Sequence, residues 1–157
     1  MFGICLWYKI VPDKGSWKTH AQTIIDRIRA LLRSHQLLAH ITIRSNIADV
    51  RQTYEYYKSI PKPYFKVGEL EQTCTVGSRG RKFFALQRKL FLNGATWQVS
   101  TYHLSFAYRD TPFTDHEMDM CRRETGILDR IESNEIDLQV WNCQDVNPAL
   151  WQQVNMS

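Results

Sequence analysis

The chain contains five histidines, and two of them, His40 and His103, are each followed two positions later by a hydroxyl residue, Thr42 and Ser105. In both segments the intervening and following residues are apolar: Ile41 and Ile43, Leu104 and Phe106. On an extended strand, residues i and i+2 point to the same face. Each segment therefore offers an imidazole and a hydroxyl to one side and apolar packing to the other. That arrangement suits phosphodiester hydrolysis. A base must deprotonate the attacking water, and an acid must protonate the departing ribose oxygen on the opposite side of phosphorus. Two imidazoles with ordinary pKa values of about 6.5 can hold those opposite states near neutral pH. Hydroxyls can donate to the non-bridging oxygens, where charge accumulates in the transition state.

This scheme needs neither a metal nor a cofactor, and none is expected. No carboxylate or cysteine lies at ligand spacing beside either histidine. The four cysteines, Cys5, Cys74, Cys121 and Cys143, form no CxxC or CxxH spacing and read as reduced, buried thiols. No phosphate-binding glycine loop and no G-x-S-x-G is present. The competing reading of His40 and His103 is two structural strand histidines. One H-x-S/T match means little, since Ser and Thr are common, but two in β-patterned segments carry weight. His20, His35 and His116 fall on expected helices and read as surface residues.

Positioning such a pair requires a sheet. The 157 residues suit one domain, and with 43% hydrophobic and 23% charged residues they can bury a core. A strand is expected over 3–11, then a loop at 12–15 and a helix capped by Ser16 with Ile24, Ile25, Ile28, Leu31 and Leu32 at helical spacing. Residues 38–44 read as a strand and 47–58 as a short helix ended by Pro61 and Pro63. Strands 66–76 and 82–92 flank a Gly77–Gly80 hairpin loop, and Asn93-Gly94 turns the chain into a strand over 96–108. Thr114 to Glu117 has the capping-box form, so a helix should run over 115–124, before a last strand at 135–143. The order predicts an α+β protein with helices outside a largely antiparallel sheet. A helix and an H-I-T-I strand in one half are echoed by an H-L-S-F strand and a helix in the other. Two lobes of approximate internal symmetry would bring those strands side by side.

The net charge of +4 suits a phosphate-bearing ligand, with a local basic group at Arg79, Arg81, Lys82, Arg88 and Lys89. No apolar run reaches the length of a membrane span, and the apolar start MFGICLWYKI lacks a basic leader. A cytoplasmic location, no membrane and a monomer without an obligate protein partner are the expectations.

The motifs HITI and HLSF resemble the paired signature of the 2H phosphoesterase superfamily, the LigT-like proteins. The likeness is closer to the fungal and plant cyclic nucleotide phosphodiesterases. It extends to the opening GICLWYKIVPDKG, to HLSFAYRDTPFTDHEM and to EIDLQVWNCQDVNPALWQQV. The resemblance implies a bilobal fold of antiparallel sheets around a central cleft, in one domain over residues 1–157. It implies that His40 and His103 are the acid–base pair and that Thr42 and Ser105 hold the phosphate. It places Tyr108, Trp7 and Phe84 (with Phe83 as the other choice) at the substrate, where core packing is the competing reading. Ala39 stands where the family often has proline, and the stretch before the second motif is too short for the extra helix of plant members. The implied reaction is metal-independent hydrolysis of a nucleoside 2′,3′-cyclic phosphate or ADP-ribose 1″,2″-cyclic phosphate. Two alternatives keep other roles open. One is a viral-type enzyme cutting 2′,3′-cGAMP or 2′,5′-oligoadenylates, and so a small nucleotide or short oligonucleotide as partner. The other is a non-catalytic RNA-binding module.

Overall fold

The computed structural model describes residues 2–11, 18–95 and 102–157. Among these, the β-patterned runs form eight strands and the periodic runs three α-helices. The strands are β1 (Ile4–Ile10), β2 (His40–Arg44), β3 (Phe65–Val76), β4 (Lys82–Leu92), β5 (Tyr102–Arg109), β6 (Arg130–Ile131), β7 (Ile136–Asn142) and β8 (Gln152–Val154). The helices are α1 (Lys18–Leu32), α2 (Val50–Ser59) and α3 (Asp115–Thr125). All strands join one sheet in the order β6-β3-β4-β5-β2-β1-β7-β8, and every pairing is antiparallel. The expected α+β class stands.

The sheet has a weak seam at its middle. β2 and β5 are paired at a single position, Ile41 with Leu104, whereas β3 and β4 share ten paired positions. Four strands lie on each side of this seam, and the strands that meet there are the two carrying the histidine motifs.

Helix α1 covers one face near the seam. Ala21, Ile25, Ile28 and Leu32 recur at helical spacing and are buried, joined in one core with Ile41, Leu104 and Phe106. Side chains of this size contribute roughly 1.5–3 kcal/mol each on full burial, so the stripe holds α1 against β5. Helix α3 begins with the expected capping box: Glu117 N–H donates to Thr114 Oγ1 at 3.1 Å, and Thr114 N–H to Glu117 Oε1 at 2.9 Å. Arg109 ties the two helices together, donating to the Leu32 carbonyl at the end of α1 and to both Glu117 oxygens at the start of α3.

Several expectations need correction. His35 lies past the end of α1, because Arg33 adopts φ 52° and breaks the helix; its ring sits 3.8 Å from Asp110. Helix α2 starts later than expected, at Val50, because Asp49 caps it by accepting from Gln52 N–H. Strands β6 and β8, of two and three residues, are too short to leave a periodic signal and went unread. Cys74 is exposed, while Cys5, Cys121 and Cys143 are buried. The basic group does not form one patch: Arg88 turns inward onto the carbonyls of Gly68, Thr125 and Leu128. The loop at 12–15, the Ser16 cap and the strand start at 96–101 lie outside the described residues. Among the described residues, no helix is long and apolar enough to cross a membrane.

Candidate active site

Antiparallel partners that stand directly opposite share a face of the sheet. Ile41 and Leu104 are such a pair. One step along each strand therefore sets His40 opposite Ser105 and Thr42 opposite His103, on the other face. By this register the two H-x-T/S motifs turn their four polar side chains to one face of the sheet. Ile41 and Leu104 meanwhile enter the core, both fully buried.

A bulge follows each motif at the same place. Between β1 and β2, Trp7 pairs with Thr42 but Leu6 pairs with Arg44, leaving Ile43 as an extra residue. Between β4 and β5, Gln87 pairs with Ser105 but Leu86 pairs with Ala107, leaving Phe106 as an extra residue. Each bulge shifts the alternation by one. Ser45 and Tyr108 stand five residues past His40 and His103, so on regular strands both would point away. The bulges return them to the histidine face. Both line a cavity of about 300 Å³ together with His40, Thr42, His103 and Gln87. Ser105 is buried and does not line the cavity; its Oγ lies 3.2 Å from the hydroxyl of Tyr108, which does.

The two imidazoles sit in different surroundings. His40 is 6% exposed and its ring stacks on Trp7 at 3.5 Å and 12°. Trp7 in turn stacks on Trp141 at 4.6 Å and 15°. Trp7 lies on β1, between β2 with His40 and β7 with Trp141, so both its faces are taken. At 1% exposure Trp7 supports the histidine with both ring faces covered, while also lining the cavity. His40 Nδ1 lies 2.7 Å from the Leu38 carbonyl. A carbonyl only accepts, so Nδ1 carries the hydrogen and Nε2 of the neutral ring is the acceptor. Burial pushes the His40 pKa down to about 3, the Leu38 carbonyl opposes this, and the charges of His103 and Lys9 reinforce it. Lys9 is the direct cross-strand partner of His40 on β1.

His103 is less enclosed. Burial lowers its pKa too, but the Glu71 carboxylate pulls it back up. Glu71 is held in place from β4: Gln87 Nε2 donates to its Oε1 at 2.9 Å, and Lys89 Nζ lies 3.6 Å from its Oε2. Lys89 is the direct cross-strand partner of His103, as Gln87 is of Ser105.

Among the expected aromatics, Tyr108 lies in the cavity and Phe84 does not. Ala85 and Gln87 face the cavity, so strand alternation turns Phe84 to the other side, where it packs on the core. Phe83 shares the cavity side but is buried beside Trp151 and Tyr108, under the Arg81 guanidinium at 5.0 Å. Glu71, Gln87, Thr73 and Ser45 escaped the sequence reading. The alternation of Glu71 with Thr73 is visible in the sequence, but only strand register says which face holds the histidines, and only the Ile43 bulge brings Ser45 to it. Among the described residues no three His, Cys, Asp or Glu side chains cluster as a metal site. No protein-family model matches the chain, and no curated protein matches it.

Proposed function

We propose that this chain is a 2H phosphoesterase that hydrolyses a cyclic phosphodiester by paired histidine acid–base chemistry. The substrate is a nucleoside 2′,3′-cyclic phosphate or ADP-ribose 1″,2″-cyclic phosphate. The observation that carries this reading is the Ile41–Leu104 register at the seam, which turns both motifs to one face, where His40, Thr42, His103 and Tyr108 line one cavity. A chain with two merely structural histidines has no need to put both rings and both hydroxyls on one face.

The asymmetry of the surroundings supports one assignment of roles. His40 is kept neutral by burial and by Lys9, with Nε2 as its acceptor atom, and serves as the base that takes a proton from water. His103 has a carboxylate nearby that favours its charged form, and serves as the acid that protonates the leaving ribose oxygen. The Thr42 and Tyr108 hydroxyls donate to the non-bridging oxygens, and Ser105 orients Tyr108 through their shared hydrogen bond. The substrate's own negative charge raises both imidazole pKa values and offsets the cost of burying a charged His103. The water oxygen bonds to phosphorus, one ribose P–O bond breaks, and the two protons pass through the two rings; for a nucleoside substrate the product is the 2′-phosphate.

A panel of cyclic phosphates, assayed with EDTA present, tests this directly. Turnover that survives the chelator and disappears in both His40→Ala and His103→Ala supports the reading. A wild type that cleaves nothing in the panel, while binding RNA normally with both histidines replaced, hands the fold to the non-catalytic alternative.

A further inference from the structure

The histidine face continues beyond the cavity along β4. Gln87, Lys89 and Phe91 alternate onto one side, and Lys89 stands directly beside His103. Phe91 pairs with Lys66 on β3, and Lys66 pairs with Arg130 on β6. A row of Lys89, Phe91, Lys66 and Arg130 thus leads outward from His103 across three strands.

The aromatic ring in this row is accommodated by a glycine. A Cβ on Gly68 would come 2.6 Å from Phe91 Cε2, so glycine lets the half-buried ring lie against β3 in its present position. At the far end the Arg130 guanidinium lies 4.2 Å over the Tyr64 ring. Lys66 is exposed and forms no ion pair with any described residue. The acidic groups beside the row are Glu71, paired with Lys89, and Glu132, paired with Arg130. Cations alternating with aromatic faces are the pattern that binds single-stranded nucleic acid, with phosphates on the cations and bases stacked on the rings. The cavity, at about 300 Å³, is at the small end of ligand pockets, so additional nucleotides must lie outside it.

We infer that the Lys89–Phe91–Lys66–Arg130 row is a binding track for a single-stranded oligonucleotide whose phosphodiester is delivered to His40 and His103. This rests on the phosphodiesterase reading and extends its nucleoside 2′,3′-cyclic phosphate to one that ends a short oligonucleotide. The track supplies affinity by charge and stacking, while the cavity supplies the chemistry.

Two measurements test it. In the first, kcat/KM is compared for adenosine 2′,3′-cyclic phosphate and for an adenosine trinucleotide ending in the same cyclic phosphate. The trinucleotide should be preferred by about tenfold at low salt, and the preference should shrink as salt rises. Lys66→Glu, at an exposed position outside the cavity, should reduce the preference to about twofold while leaving the mononucleotide unchanged. Equal rates for the two substrates, or equal loss on both in Lys66→Glu, overturn the track. In the second, fluorescence anisotropy follows a labelled pentanucleotide binding to the His40→Ala/His103→Ala protein. Binding weakened by Lys66→Glu and by Phe91→Leu supports the track even if no substrate is ever cleaved, in which case the catalytic reading alone fails. An oligoglutamate that binds as tightly as the pentanucleotide shows a general anion surface and overturns the proposal.

Discussion

The halves that meet at the Ile41–Leu104 pair are built to one plan and finished differently. A half-turn of the strand register about that pair exchanges His40 with His103, Thr42 with Ser105, Lys9 with Lys89, and Trp7 with Gln87. Even the bulges at Ile43 and Phe106 correspond. The difference lies in what supports each ring. On one side Trp7 and Trp141 stack in series beneath His40 and exclude water. On the other, Gln87 holds Glu71 near His103. A symmetric plan can place two equivalent imidazoles, but acid–base catalysis needs them inequivalent. Aromatic burial on one side and a tethered carboxylate on the other supply that inequality.

The largest effect is expected at the rings themselves. His40→Ala and His103→Ala should each lower kcat by about 10²–10⁴-fold with the fold intact, checked by single-turnover rates and circular dichroism. Near-normal turnover in either variant would reduce the pair to one working histidine and break the comparison. Next come the supports. Trp7→Ala removes a buried stack and should cost about 3–5 kcal/mol in urea denaturation. The counterpart Gln87→Ala removes one hydrogen bond and should cost about 1–2 kcal/mol. Equal losses would erase the distinction between a packed half and an electrostatic half.

Stability should also respond to acid through His40. The unfolded chain takes up a proton near pH 6.5, but the native ring does so only near pH 3. Between those values the unfolded state binds more protons, so stability present above about pH 6.5 is lost as pH falls, at about 1.4 kcal/mol per pH unit. A His40→Gln variant should flatten that slope in denaturant titrations across the same range.

The smallest expected effects are shifts in the pH–rate profile. Under the proposed mechanism His40 must be neutral and His103 charged, and both pKa values lie below 6.5, so the basic limb of kcat/KM should fall below 6.5. Glu71→Gln removes the charge that favours protonated His103 and should move that limb to lower pH. Lys9→Met removes a charge that disfavours protonated His40 and should move the acidic limb to higher pH. Movement of the wrong limb in either variant would reverse the assignment of base and acid.

Much of the fold was legible because its signals are local. The Thr114–Glu117 capping box, the Asn93-Gly94 turn and the helical stripe of Ile25 and Ile28 each depend on residues a few positions apart. The aromatic assignments depend on tertiary contacts. Trp7 reads equally as a ligand contact or a core residue until His40 and Trp141 are seen on its two faces. Phe84 reads as a cleft residue until its alternation with Ala85 is fixed against the cavity.

By itself the sequence determined the strand character of the two motifs and the pairing of each histidine with a hydroxyl on its own face, since two-residue periodicity is a property of the chain. The internal echo suggested that the motif strands are neighbours, but only the tertiary structure decided it, because their contact joins residues more than sixty positions apart through one pair at the seam. Regular alternation could not place Ser45 at the cavity, nor account for Tyr108, which the resemblance put there, because it turns both away. Only bulges, which arise from how neighbouring strands pair, bring them back.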